Sequence, residues 1–173
     1  KEQERLDQNR SVVEQAIGEL QKIAKSSAFA IPKIVYIPED DVERYCYKQT
    51  QVWIESIMRY DGIWWGFQDH TYVEHYGGYI DWYWKEAAPE KLRLQLLSNQ
   101  SDVERQMKRK KFQQRIIRFW KKGGQFTATL WVNGDYVVMI STRQKPYYLI
   151  EIHDALLAHN LREMCKGIWK EMG

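Results

Sequence analysis

After residue 31, segments with the two-residue period of a β-strand alternate three times with segments that have the helical period. The strand-like segments are IVYI (34–37), GIWWGF (62–67) and LRLQLLS (92–98). Such alternation is typical of a parallel sheet covered by helices. Further strand-like segments and a closing amphipathic helix follow, namely RIIRFW, FTATLWV, YVVMIST, YYLIEI and then DALLAHNLREMCKGIWKEM. We therefore predict one α/β domain over residues 31–173, built on a mixed sheet flanked by helices.

Local signals mark where several of these elements begin or turn. Pro38 and three acidic residues precede the apolar stripe of the first helix, where the helix dipole favours them. Ser101 and Glu104 have the spacing of a capping box, and Asp154 has the position of an N-cap before the last helix. Asn133-Gly134 separates two strand-like segments and favours a tight hairpin. These signals predict element boundaries without reference to the tertiary fold.

Residues 1–30 have a different pattern, with apolar residues at intervals of three, four or seven. Leu6, Val13, Ile17 and Leu20 lie on this stripe, which is typical of a coiled-coil seam. A helix of fewer than about four heptads is marginal alone, so we expect residues 1–30 to pair with a second copy, which would make the protein a homodimer, or to lie along the domain. The sequence begins at a lysine inside the helical pattern, from which we expect a further segment upstream.

Composition excludes several classes of protein. Of the 173 residues, 28% are charged and 44% are hydrophobic, which are ordinary values for a globular domain. No apolar run reaches the length of about 18 to 20 residues that spans a bilayer, and the first residues lack the apolar core of a signal peptide. We therefore expect a cytoplasmic protein that does not act at a membrane.

Nothing in the sequence indicates a metal site or a cofactor. Cys46 and Cys165 lie far apart without CxxC or Cys/His spacing, and the four histidines have no metal-ligand spacing. Neither a Walker-type GxxxxGK motif nor an HExxH motif occurs. We expect reduced cysteines and no bound metal or cofactor.

One segment is strongly basic although the net charge is only +3. Residues 105–122 carry nine Lys or Arg and no acid. Such a run could bind phosphate groups, which leaves direct nucleic-acid binding open as an alternative function. The other interpretation is a solvated helix face followed by a strand with outward basic residues. One continuous basic stripe on the surface would favour nucleic-acid binding.

Aromatic side chains form 14% of the chain and are concentrated over residues 63–86. In a strand, Trp64 and Trp65 must face opposite sides of the sheet, so at least one belongs to the core. The next segment, 71–87, has a helical pattern that two adjacent glycines weaken, and its aromatic residues lie on more than one side. Because only one side can pack on the sheet, we expect the others to meet a partner subunit, a ligand or water.

Polar residues follow the second strand at the place where ligands usually bind in open α/β sheets. Asp69 and His70 lie there, next to Trp64, Trp65 and Tyr72 in the sequence. These five residues are candidate ligand-binding residues, because aromatic rings and polar groups together can bind a sugar or another polar ring. In the alternative interpretation, Asp69 is only an N-cap and His70 is a solvated loop residue.

The order of elements and four segments resemble the TrmB family of transcriptional regulators. The segments are IPKIVYI after the coiled-coil helix of residues 1–30, the hairpin strand NGDYVVMIS, the strand YYLIEIHD and a last helix that ends in GIWKEM. The resemblance implies a winged helix-turn-helix that binds DNA, a coiled-coil helix that dimerises, and a phospholipase-D-like domain that responds to an effector such as a sugar. We therefore expect residues 31–173 to be a non-catalytic, effector-binding regulatory domain, in a protein that contacts DNA only through a module upstream of this sequence. The alternative is a family member that binds no ligand and uses its aromatic residues for dimer packing.

Phospholipase-D-like folds can be enzymes, so the resemblance leaves phosphodiesterase or nuclease activity open as an alternative. Those enzymes need a His nucleophile, a Lys two residues later and an Asp five residues after that. No His-x-Lys occurs in this sequence. When Asn133-Gly134 is placed on the turn where the enzymes have Asp-Gly, Phe126 and Ala128 fall on the His and Lys positions. Neither residue can perform that chemistry, so we expect no catalysis.

Overall fold

The computed structural model describes residues 31–110, 112, 114–121 and 123–172, and among these residues seven strands form one mixed sheet. The strands are β1 (Lys33–Pro38), β2 (Ile63–Gln68), β3 (Arg93–Ser98), β4 (Arg115–Phe119), β5 (Thr129–Asn133), β6 (Tyr136–Ser141) and β7 (Tyr148–His153). Their order across the sheet is β1-β7-β6-β5-β2-β3-β4. β2, β3 and β4 pair in parallel, and the other neighbouring strands pair antiparallel. The predicted mixed sheet flanked by helices is confirmed.

Helices lie on both faces of this sheet. They are α1 (Glu39–Met58), α2 (His70–Trp82), α3 (Asp102–Arg109) and α4 (Ala155–Glu171), and α2 continues as a π-helical turn, Tyr83–Ala87. Helices α1, α2 and α3 cover one face, and α4 covers the other over β2, β5 and β6. The sheet therefore has two separate cores, one on each face.

Trp64 and Trp65 of β2 belong to these two cores. As predicted, the two side chains face opposite sides of the sheet, and both are buried, with 5% and 4% of their surface exposed. Trp64 meets Trp131 edge-on with 4.8 Å between ring centroids, whereas Trp65 meets Trp169 of α4 at 6.2 Å. Both indoles therefore pack under helices, and they do so on opposite faces because side chains alternate along a strand.

The predicted helix starts and the hairpin are confirmed. Ser101 Oγ accepts a hydrogen bond from the N–H of Glu104, and the Asp154 carboxylate accepts from two N–H groups of the first turn of α4. β5 and β6 form an antiparallel hairpin that turns at Asn133-Gly134, with Gly134 at a φ of 64°. Each of these features depends on residues close together in the chain, which is why the sequence predicts them.

The position of β1 differs from the predicted parallel arrangement. β1 pairs antiparallel with β7 at an edge of the sheet, and three strands separate it from β2. Helix α1 has 20 residues and is therefore about 30 Å long, so it carries the chain across one face from the edge to the centre. The alternation of strand and helix correctly predicted that a helix connects β1 to β2 across one face of the sheet. It did not specify how many strands lie between β1 and β2.

Strand β5 begins later than the pattern FTATLWV predicts. The alternation predicted a strand from Phe126, whereas β5 starts at Thr129. The backbone N–H and C=O of Phe126 are hydrogen-bonded to the Asn99 side chain and so do not join the sheet ladder. A long-range contact therefore removes three residues from the predicted strand.

The aromatic residues of α2 meet other parts of the same domain, contrary to the expectation of a second, external surface. Helix α2 is kinked at Tyr76, directly before the two glycines, and its end widens into the π-helical turn. The π-helical turn changes the angle between successive side chains around the helix axis. Trp84, which would lie off the buried stripe of a regular α-helix, is therefore only 6% exposed. Trp82 packs against Tyr47 of α1, with 4.7 Å between ring centroids. Helix α1 therefore provides the second surface.

Residues 1–30, with the candidate dimerisation residues Leu6, Val13, Ile17 and Leu20, lie outside the described residues. The dimerisation helix and the domain boundary at residue 30 therefore stay predictions. In the described part of the chain, no helix is long and apolar enough to cross a membrane. The same residues contain no group of three or more His, Cys, Asp or Glu side chains that could hold a metal ion.

Candidate functional site

Asp69, directly after β2, is the centre of a buried polar network. Its side chain has no exposed surface, and both carboxylate oxygens accept hydrogen bonds. Arg143 donates through Nε to Oδ2 at 2.7 Å and through Nη2 to Oδ1 at 3.1 Å. Asn99 Nδ2 donates to Oδ1 at 3.1 Å, and Thr71 Oγ1 donates to Oδ2 at 2.9 Å. This bidentate Arg–carboxylate geometry is the strongest form of such a pair.

The topology of the sheet explains why these residues meet. β2 and β3 are parallel, so Asp69 and Asn99, which follow them directly, lie at the same edge. β5 runs antiparallel to β2, so its first residue, Thr129, lies at that edge, and its Oγ1 accepts from the Asp69 N–H at 3.1 Å. β6 is antiparallel to β5, and Arg143 therefore reaches the same edge two residues after β6 ends.

Electrostatics favour the charged form of both partners in this ion pair. Burial alone would raise the pKa of Asp69, but hydrogen bonds from Arg143 and Thr71 and the Arg143 charge together hold this pKa below its usual value. The hydrogen bond to Asp69 raises the pKa of Arg143. Asp69 is therefore a buried carboxylate that stays ionised because its partners compensate the loss of water.

Asn99 links Asp69 to the segment that precedes β5. Its side chain is 2% exposed; Nδ2 donates to the Phe126 carbonyl at 2.8 Å, and Oδ1 accepts from the Phe126 N–H at 2.8 Å. Arg143 Nη2 also donates to the Phe126 carbonyl at 2.9 Å and to Gln125 Oε1 at 3.2 Å. The network thus fastens four segments: the ends of β2, β3 and β6, and the chain before β5.

The Phe126 ring points away from this network into the core beneath α4. It stacks on Phe67, with 4.6 Å between ring centroids, and lies 5.5 Å from the Trp120 ring. Phe126 is also the residue that falls on the His position of phospholipase-D-like enzymes when the hairpin turns are matched. Its backbone takes part in the network of Asp69, Thr71, Asn99 and Arg143, the strand-end network, while its side chain packs beneath α4.

The five candidate ligand-binding residues have different surroundings. Trp64, Trp65 and Tyr72 lie in the two cores, and Asp69 is bonded to Arg143, so none of these four has a freely accessible side chain. The His70 side chain is 24% exposed, with Nδ1 3.1 Å from Asp69 Oδ1. The alternative role of Asp69 as an N-cap is only positional, because its carboxylate makes no cap hydrogen bond. Ligand binding by these residues stays a prediction.

Sequence reasoning missed Asn99 and Arg143, which complete the network. The rule that functional side chains follow parallel strands could have found Asn99, because it follows β3 directly. Arg143 lies 74 residues from Asp69, and its position depends on how β5 and β6 pair with β2. The sequence marked Arg143 only as a polar residue shortly after a strand. This pattern is too common to identify a functional residue.

The basic segment 105–122 does not form one continuous stripe among its described residues. Arg115 points toward the core beneath α2 and α3, where its Nε and Nη1 atoms are buried. Arg118 points to the opposite face and lies over the Trp169 ring at 4.1 Å. Lys110 forms an ion pair with a carboxylate of α2. The expectation of a strand with outward basic residues is wrong for Arg115, because the pleat turns it inward beside Leu94.

Comparison with known proteins gives matches in fold alone. No protein-family model matches this chain, and neither does any curated protein. A solved structure of TrmBL2, an archaeal chromatin protein that shows a novel mode of DNA binding, is 12% identical with a TM-score of 0.45. The match covers 98% of this chain but only 65% of that one. NucT from Helicobacter pylori is 11% identical with a TM-score of 0.50, over 82% of this chain and 96% of that one.

Identities this low carry information about the fold and none about activity. The likeness to NucT covers nearly the whole of that chain, and it agrees with the seven-stranded mixed sheet flanked by helices. The described part of the chain therefore has a mixed sheet flanked by helices, as in a phospholipase-D-like fold.

Proposed function

We propose that this chain is the regulatory domain of a TrmB-like transcriptional regulator, in which it dimerises and senses a small-molecule effector without catalysing a reaction. The observation that supports this proposal most is the ion pair between Asp69 and Arg143. With Asn99 and the Phe126 backbone, the pair occupies the edge of the sheet at which open α/β folds bind ligands and reacting groups.

The hydrogen bonds at these strand ends suit a structural role, in which they hold segments of the domain together, better than they suit phosphoryl transfer. Phosphoryl transfer needs a free nucleophile and donors aimed at the negative charge that develops in the transition state. Arg143 is already engaged by the Asp69 carboxylate, and Phe126 and Ala128 have no nucleophilic or cationic group. The network therefore serves to hold segments of the domain together.

In the proposed mechanism, the effector binds two states of a dimer with different affinity, as any allosteric coupling requires. The network joins the ends of β2, β3 and β6 to the chain before β5, so we expect these segments to move as one unit. A shift of this unit in each protomer would change the spacing of the DNA-binding modules that the regulator carries. In this proposal, the partners of the regulator are DNA, a small-molecule effector and a second copy of the chain in a homodimer.

Size-exclusion chromatography with light scattering tests the proposal on the 173-residue chain. We expect a mass of about twice the 20.8 kDa of one chain, because the stripe of residues 1–30 should form a coiled coil. Ile17→Glu should give monomers by placing a charge on the stripe, whereas Gln15→Glu, which lies off the stripe, should leave the dimer intact. A monomeric wild-type chain would contradict the proposal, as would DNA binding by this chain alone that weakens steeply with salt.

His70 provides the one observation that favours a phosphodiesterase as a second candidate function. Its Nδ1 lies 3.1 Å from Asp69 Oδ1, a geometry in which a carboxylate orients an imidazole nucleophile. No lysine follows His70 at the spacing that the enzymes need, so we expect the purified chain not to hydrolyse bis(p-nitrophenyl) phosphate. Turnover that is lost in His70→Gln but kept in His159→Gln, a control at an exposed position of α4, would support the enzyme and refute the regulatory proposal.

A further inference from the structure

A cavity of about 240 Å³ lies between the sheet and α4, on the face opposite the three other helices. Its floor is made by neighbouring residues of three adjacent strands: Phe67 of β2, Leu97 of β3 and Leu130 of β5. Phe67 pairs with both of the others across the sheet. The floor is thus a continuous apolar surface on three adjacent strands of the sheet.

One face of α4 forms the roof. Leu161, Met164, Cys165 and Ile168 line the cavity, at the spacing that places residues on one side of a helix. Met164 and Ile168 are 61% and 36% exposed, so the cavity reaches the surface beside α4. An unbranched, flexible methionine at this position can move aside, which provides a way in for a small molecule.

We propose that this cavity binds a small uncharged apolar molecule, of the size of a substituted benzene or a fused bicyclic hydrocarbon. Every lining side chain is hydrophobic, and the Cys165 thiol is only a weak hydrogen-bond donor. A sugar or a charged ligand would lose its hydrogen bonds to water without replacement, so this lining rejects both. An engineered cavity of about 150 Å³ lined by Leu, Ile and Phe stays dry and binds benzene, and the larger volume here admits an additional substituent or ring.

The aromatic walls favour an aromatic ligand over an aliphatic one. Trp120 and Phe126 line the cavity together with Phe67, and their rings stand close to one another. Aromatic pairs prefer offset or edge-to-face contacts, and a planar ligand could make such contacts with this cluster.

Phe126 connects the cavity to the strand-end network. Its ring lines the cavity, and its backbone N–H and carbonyl are held by Asn99 and Arg143. An apolar ligand would therefore press on a residue that the Asp69 network holds in place. The inference that this ligand is the effector of the regulator rests on the proposed function. The inference that the cavity binds the ligand does not.

The two cysteines allow a direct test on the full chain. Cys165 lines the cavity and is partly exposed, and burial raises its pKa to about 11. Cys46 is 1% exposed in the other core, so N-ethylmaleimide cannot reach it, and it is an internal control that should stay unreactive. The probe is ethylbenzene, and the readout is the rate at which N-ethylmaleimide labels Cys165, followed by mass spectrometry.

We expect ethylbenzene to slow the labelling of Cys165 about tenfold at about ten times its Kd, and to raise the melting temperature, because only unoccupied protein reacts or unfolds. Glucose should do neither. Leu161→Trp should fill the cavity and abolish both effects, while Leu156→Trp, on the same helix at a site that is 77% exposed, should keep them. Ile168→Trp is the second filling variant if Leu161→Trp does not fold.

Two results would overturn the inference. One is an unchanged labelling rate and melting temperature in water saturated with ethylbenzene. The other is protection of Cys165 that rises with protein concentration in the absence of ethylbenzene, because the cavity would then be covered by a second copy of the chain. A monomeric chain that binds ethylbenzene would refute the dimeric regulator and keep this inference; a dimer without binding would do the reverse.

Discussion

Replacing Gly134 by alanine is expected to lower the free energy of unfolding by about 3 to 5 kcal/mol, the sum of a positive-φ penalty and an overpacking penalty. Gly134 has a φ of 64°, a conformation that residues with a Cβ atom rarely adopt. An added Cβ would come closer than 3.0 Å to the backbone and side chain of Ser56 in α1. The turn cannot easily move away, because Asp135 N–H donates to Ser56 Oγ and Arg162 donates to the Gly134 carbonyl.

Gly167→Ala provides the matched control for this substitution. Gly167 lies inside α4 with no atom near the position of an added Cβ, and its φ is not positive. Alanine favours a helix interior over glycine, so we expect the variant to be more stable by about 0.5 to 1 kcal/mol. Urea unfolding followed by tryptophan fluorescence measures both variants. A Gly134→Ala variant within about 1 kcal/mol of the wild type would show that the hairpin and α1 can separate.

Arg143→Met is expected to lower the free energy of unfolding by about 2 to 3 kcal/mol near neutral pH, below the usual 3 to 5 for a broken buried pair. The substitution leaves the Asp69 carboxylate buried without its cation. We place the effect below the usual range for two reasons. The Arg143 side chain is 35% exposed, so solvent already screens the pair, and Asn99 and Thr71 still donate to the carboxylate.

The pH dependence of this loss follows from the lowered pKa of Asp69. In the wild type, the pair contributes stability above the ordinary carboxyl pKa of about 3.9 and loses it as pH falls through the lower folded-state value. In Arg143→Met, burial should instead raise the pKa of Asp69, so protonation stabilises the folded variant as pH falls. The stability difference between the two proteins should therefore shrink in acid, as urea unfolding at several pH values would measure.

Arg44→Met is the control for the loss of an ion pair. Arg44 pairs with Asp41 at 2.6 Å on the surface of α1, and its side chain is 80% exposed. Exposed pairs of this kind contribute about 0 to 1 kcal/mol, so we expect a change of about 0.5 kcal/mol or less and little dependence on pH. Equal effects for Arg143→Met and Arg44→Met would mean that the strand-end network does not hold the domain together.

Much of the local structure could be predicted from sequence because the interacting residues are neighbours. The caps at Ser101 and Asp154 and the turn at Gly134 each involve residues within about four positions. The opposite orientation of Trp64 and Trp65 follows from the geometry of any strand. Such features do not depend on which strands pair.

The candidate site was only partly predictable for the opposite reason. Their position after a strand was sufficient to single out Asp69 and His70. It was not sufficient to predict that the Asp69 carboxylate would pair with Arg143. That contact requires the β5–β6 hairpin to pair antiparallel with β2. The expectation that aromatic residues of α2 meet an external surface was wrong for a similar reason. The π-helical turn and α1 together bury rings that a regular helix would expose.

The sequence by itself determined which segments become strands and helices, because periodicity, caps and turns act over a few residues. Only the tertiary structure decided the place of β1, the partner of Asp69 and the cavity beside α4. Each of these depends on contacts between segments far apart in the chain. Their energies are sums over many packed atoms, and no local pattern of residues specifies such a sum.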